Sequence, residues 1–180
     1  GARSVVLARS DAVKNLVFAV SLLAATLCVP TAAHADRLAY PSADAASFLI
    51  DYPASWTMTP AEEEGDYVEL AGKDGAMLFF RTIEGSEEAL LAAIQDSKDY
   101  LAQDYSNVVL SKAKDVEQHG LKGFLATGTG TNEDGDDVNF LMAWFPLPDG
   151  TIGELWYAAF ADDAKGAKEA AAILNSFRAP

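Results

Sequence analysis

Cysteine is nearly absent from this chain. Cys28 is the only one among 180 residues, so no disulfide can close within it. Histidine is scarce as well: His34 and His119 are the only two, which leaves a zinc site short of its usual nitrogen and sulfur ligands. Positive charge is sparse, with 13 Lys and Arg against 27 Asp and Glu and a net charge of −14. A field of that sign repels phosphate backbones and anionic headgroups, so nucleic acid and membrane surfaces are disfavoured as partners. No internal repeat is visible, and long apolar runs are missing with one exception.

That exception is residues 16–29, apolar except for Ser21 and Thr26 and preceded by Lys14 and Asn15. Ala33-His34-Ala35 follows with the small-x-small pattern of a signal-peptidase site. The segment reads as a secretory signal peptide cut between Ala35 and Asp36. A spanning helix needs roughly 20 predominantly apolar residues, more than this run supplies before Pro30. A lipid anchor on Cys28 would want Gly or Ala before it, and Leu27 stands there. Residues 1–12 lack a starting Met and read as an upstream extension, with Val13 as the start of translation. The expected compartment is the periplasm or the exterior, with no membrane anchor left after cleavage. Loss of residues 1–35 removes Arg3, Arg9, Lys14 and Asp11, which takes the net charge from −14 to −16. Basic protein surfaces or cations are the natural complements of such a domain. The remaining length suits one domain with one sizeable core.

Along that remainder, residues 36–46 are polar and Ala-rich and read as a flexible leader, so the folded domain is expected over 47–180. Residues 48–50 form a short strand closed by Tyr52-Pro53, and 59–66 an acidic loop. Residues 67–71 and 76–83 read as two strands joined by Gly72-Lys73-Asp74-Gly75, a hairpin signal. Over 86–105 a helix is expected. Ser86 suits its cap, Glu87 and Glu88 its first turn, and Leu90, Ile94, Ser97 and Leu101 its apolar stripe, widened by Ala93 and Leu91. Four strands follow, 108–116, 121–131, 138–145 and 152–160. His119-Gly120, Asp134-Gly135 and Pro148-Asp149-Gly150 make the turns of an antiparallel meander. A second helix opens at Asp162 or Asp163 and turns Ala167, Ala170, Ile173, Leu174 and Phe177 to the core.

Residues 140–145 and 155–160 are apolar at both parities, so these strands should be covered on both faces. The fold class expected is α+β: a three-layer α/β/α sandwich with two main helices and a mainly antiparallel sheet of about six to seven strands. Phe48, Trp56, Trp144, Trp156 and Phe177 are the expected core aromatics.

The order of elements, with Phe48-x-Ile50-x-x-Pro53-x-x-Trp56 at the front and Ile173-Leu174-Asn175-Ser176-Phe177-Arg178 at the back, resembles the PsbP-like family. The resemblance runs over most of 47–178. It implies a compact α/β/α domain, often exported, that binds a partner protein and shares no common active site. No functional residue carries over, because the matching positions read as core.

Candidate chemistry is thin. His119 would have to serve any Ser-His-Asp hydrolase, yet it sits in a strand-to-strand turn where a solvated role is the default. Glu133, Asp134, Asp136 and Asp137 make the densest acidic run and could hold a hard cation, but they lack the calcium-loop spacing, and Asp134-Gly135 suits a plain hairpin. Residues 123–129 span a phosphate-loop frame with Thr129 where lysine belongs, so Gly128 and Gly130 read as close-packing positions in a strand. The adjacent Glu62 and Glu63 read as solubilising. No cofactor is expected. The function expected is a monomeric, exported, non-enzymatic binding or accessory protein engaging a basic protein surface. The alternative is a small-ligand or divalent-cation module.

Overall fold

A computed structural model describes residues 35–180. Within them β1 (Ala35–Tyr40) and β2 (Phe48–Pro53) pair as a two-stranded antiparallel sheet. Then come β3 (Thr57–Thr59), β4 (Val68–Ala71), β5 (Met77–Ile83), helix α1 (Glu87–Asp104), β6 (Ser106–Leu110), β7 (Lys114–Gln118), β8 (Leu121–Thr131), β9 (Asp137–Pro146), β10 (Ile152–Phe160) and helix α2 (Ala164–Ser176). The large sheet runs β3-β4-β5-β10-β9-β8-β6, with β7 also on β8, and every pairing is antiparallel. The two strands with no polar parity, β9 and β10, lie at its centre, where both faces are covered.

One face packs α2 and the β1–β2 hairpin over Leu78, Phe80, Leu141, Phe145, Leu155 and Tyr157. The other packs α1 over Phe140, Met142, Trp144 and Trp156. The domain is thus a three-layer α+β sandwich with two helices. α1 starts where Ser86 Oγ accepts from the Ala89 N–H at 3.1 Å. It buries only Ala93, Ser97 and Leu101, one turn apart, and Leu91 is exposed, not part of the stripe. α2 starts where Asp163 accepts from the Gly166 N–H at 2.8 Å, and it buries Ala170, Ile173 and Leu174.

Three sequence expectations need correction. Residues 36–40 are strand, not loose leader: Tyr40 stacks on Phe48 at 5.0 Å, and Arg37 pairs with Asp51 at 2.9 Å. Residues 108–116 are two strands, not one. At Ser111 the ladder breaks, its Oγ accepting from the Thr127 N–H at 3.0 Å, and the chain re-enters the sheet at Lys114 on the other half of β8. The exposed β3 carries too little apolar pattern to have been read as strand.

The motif residues at the two ends meet. Leu49 and Arg178 exchange backbone hydrogen bonds at 2.8 and 3.1 Å. Ser176 Oγ accepts from the Asp51 N–H at 2.8 Å, and Phe177 packs on Phe48 at 5.0 Å. Trp56 lies over Gly72, whose absent side chain leaves room for the indole, and donates to Glu169 Oε2 of α2 at 2.8 Å.

Candidate functional site

The pleat of β10 turns Ile152, Glu154 and Trp156 toward α1. Glu154 has no exposed surface, and a carboxylate taken out of water needs full compensation. It receives it from its neighbours. Oε1 accepts from Arg81 Nε at 2.8 Å and from the Tyr67 hydroxyl, and Oε2 accepts from Trp144 Nε1 at 2.7 Å. The register makes this possible, since Arg81 on β5 and Trp144 on β9 stand directly opposite Glu154. The Arg81 guanidinium lies 4.4 Å over the Tyr67 ring. Burial, then the Glu154 charge, holds the Tyr67 hydroxyl well above the usual phenol range, so it stays a donor.

The row continues to the margin of the sheet. Phe124 on β8 lies opposite Trp144 with the rings stacked at 5.3 Å, and Asp115 on β7 lies opposite Phe124. Tyr67, Arg81, Glu154, Trp144, Phe124 and Asp115 therefore form one transverse line on the α1 face. Glu154 has no exposed surface and lines neither of the two clefts at that margin. Its chemical effect is to fix the Trp144 indole.

Two clefts open beside that margin, one on each face. The α1-side cleft, about 470 Å³, lies among Leu90, Phe124, Trp144 and Ile152, with Glu117 and Lys122 at its rim. The α2-side cleft, about 390 Å³, lies over Leu125, Leu141, Phe145 and Leu174, with Lys114 and Gln118 at its rim. Asp115, Val116 and Glu117 of β7 border both.

The residues singled out from sequence are dispersed. Asn132 and Asp136 close the 133–137 run as a hairpin turn, with Asp136 N–H donating to Asn132 Oδ1 at 2.8 Å. Among the described residues no group of three or more His, Cys, Asp or Glu could hold a metal ion, so Glu133, Asp134, Asp136 and Asp137 form no such site. His119 Nε2 lies 2.7 Å from the Asn175 carbonyl, and Gln118 donates to the Leu174 and Phe177 carbonyls at 3.0 and 2.9 Å. That turn thus donates to carbonyls at and just beyond the end of α2, where backbone acceptors outnumber local donors. Phe48, Trp56, Trp144, Trp156 and Phe177 are all buried. Gly128 and Gly130 lie against Phe140, where a Cβ at Gly128 would come within 2.6 Å of Leu110. Of the cleavage pair, Ala35 and Asp36 open β1, while residues 1–34, with most of the expected signal peptide, lie outside the described residues.

Sequence reading did not single out Tyr67, Arg81 or Glu154. The available signal was a lone carboxylate inside a strand apolar at both parities.

No family model matches the chain, and no curated protein sequence matches it. Solved structures do. Cyanobacterial PsbP (CyanoP) from Synechocystis sp. PCC 6803 superposes with a TM-score of 0.59 at 13% identity, covering 86% of this chain and 98% of that one. LpqN, described as involved in cell envelope biogenesis of Mycobacterium tuberculosis, gives 0.54 at 12% identity over 82% and 92%. A protein of Bacteroides thetaiotaomicron VPI-5482 gives 0.54 at 13% identity over 80% of this chain and 48% of that one. The chain has the PsbP-like fold.

Proposed function

We propose that this domain is an exported, non-enzymatic accessory protein that binds a protein partner, as a monomer, at the sheet margin formed by β7. The observation that carries the reading is the placement of two clefts on opposite faces of one exposed margin, while the fully buried carboxylate, Glu154, is bonded on both oxygens. The one histidine of the domain is engaged at the end of α2. Export is supported by residues 16–29 and by Ala33-His34-Ala35, and a cut after Ala35 would leave β1 whole from Asp36 onward. LpqN's role in envelope biogenesis is consistent with an envelope setting. The net charge of −16 after cleavage favours a partner with a basic surface.

The test is cross-linked capture from the native envelope with residues 36–180 as bait. One stoichiometric partner, released as salt is raised, is the expected result. A bait that stays bare at low salt overturns the reading. A small-molecule reading has the cleft volumes in its favour, since both fall in the range of ligand pockets. Native mass spectrometry of freshly purified protein showing only the polypeptide mass would remove a tightly held ligand.

A further inference from the structure

We infer that β7 is a docking edge for an extended peptide of the partner, which adds a strand to the sheet, sends apolar side chains alternately into the two clefts and sets a basic side chain against Asp115. This rests on the protein-binding reading above and names its mode.

The edges of the large sheet are not equivalent. β3 has three residues, too few to template a strand. β6 is disturbed at Asn107, with φ of 52°, and its register on β8 shifts between Ser106 and Val109. β7 keeps a regular register over all five residues, Lys114 to Gln118.

Its outward groups follow from the turn. His119 and Gly120 have φ of 49° and 75°, a two-residue hairpin turn that makes Gln118 and Leu121 a hydrogen-bonded pair. Alternation then ties Val116 and Lys114 to β8 and leaves the N–H and C=O groups of Asp115 and Glu117 facing away from it. A strand added there would alternate its side chains between the faces, and each face holds a cleft bordered by β7. Main-chain bonds supply affinity in this mode, and pockets for alternate side chains supply specificity.

Charged residues guard β7 against indiscriminate apolar pairing. They also select. Glu117 lies opposite Lys122, whereas Asp115 lies opposite Phe124 and forms no ion pair among the described residues. A lysine or arginine on the incoming strand completes it. Trp144, held by Glu154, keeps the α1-side cleft preformed.

The experiment titrates residues 36–180 with a synthetic peptide of about nine residues, lysine at both ends and Val, Leu and Phe between, and reads amide exchange and amide NMR shifts. The control is the same peptide N-methylated at alternate amides. The Glu117→Pro variant removes one outward donor and no ladder bond, so its fold should survive. Asp115→Pro serves if that variant melts early. The expected result is exchange slowed about 10-fold or more at Asp115 and Glu117, abolished by N-methylation, with the protection at Asp115 lost in the Glu117→Pro variant. No binding, binding that leaves those two amides unprotected, or equal binding by the proline variant overturns the inference. If Glu117→Pro still captures the envelope partner, strand addition is wrong while the protein-binding reading stands. If the wild-type bait captures nothing, the broader reading fails with it.

Discussion

Glu154 holds three side chains, from β5, β9 and the loop that enters β4, so its removal is felt well beyond its own strand. Glu154→Ala leaves the Arg81 guanidinium uncompensated and orphans the Trp144 N–H and Tyr67 hydroxyl. Breaking a buried pair from one side costs roughly 3–5 kcal/mol, and urea unfolding should show a loss of that size. A loss under about 1 kcal/mol would mean that the row is not a unit. Asp51 lies nearer water, between Arg37 and Arg178, each at 2.9 Å. Burial alone would raise its pKa, but the two arginines outweigh that and hold it below the ordinary aspartate range. Its folded value thus lies below its unfolded one, so its contribution is complete above the ordinary carboxylate range and is lost as pH falls through the folded value. Asp51→Asn should lower stability at neutral pH by about 1 kcal/mol or less and flatten the acid limb of Tm against pH below about pH 5. Identical acid limbs in both proteins would contradict this. The buried aromatics are legible from composition and strand pattern. The row from Tyr67 to Asp115 is not, because it depends on register between strands far apart in sequence, and one slipped residue would send Glu154 to the other face.

Among the elements, the helices are held very differently. α1 has 18 residues and buries three small or medium side chains. α2 has 13 and is tied by Trp56, Gln118 and Ser176 to three separate segments. Amide exchange should therefore open α1 at lower free energy than α2, and Leu101→Ala, at the fully buried end of α1's stripe, should cost about 2–5 kcal/mol while Leu91→Ala costs about 0.5 kcal/mol or less. Equal protection of the two helices would refute the first point. Turn chemistry marks some strand limits well: 121–131 and 152–160 match β8 and β10 residue for residue. The span 138–145 falls one residue short of β9 at each end, and the expected limit at 116 falls two residues short of the end of β7 at Gln118. The missed elements lack such marks. β1 sets Leu38 and Tyr40 at one parity with only Ala39 between them, too brief a pattern to stand out from an Ala-rich stretch. The break between β6 and β7 is set by Ser111 reaching Thr127, a contact no local pattern announces.

At the scale of the molecule, charge opposes compactness. With residues 1–35 removed, the net charge of −16 is crowded onto one small domain and repels itself. Raising ionic strength from about 10 mM to about 0.5 M should screen that repulsion and raise Tm by several degrees; a fall in Tm would show that attractive pairs dominate instead. The PsbP-like fold was legible because its two end motifs are also its closing contacts, Phe48 on Phe177 and Leu49 on Arg178. Of the three tryptophans, one serves the α2 side and two lie on the α1 face of the sheet. Trp56 belongs to the α2 side and Trp144 to the central row, and Trp156 sits edge-on to Tyr100 of α1 at 6.0 Å. Each indole thus carries an optical record of a different contact: Glu169 of α2, the Glu154 row, and Tyr100 of α1. Two-tryptophan-to-phenylalanine variants would resolve the order in which the layers come apart, with the Trp156 emission shifting to longer wavelength first as α1 lifts from the sheet.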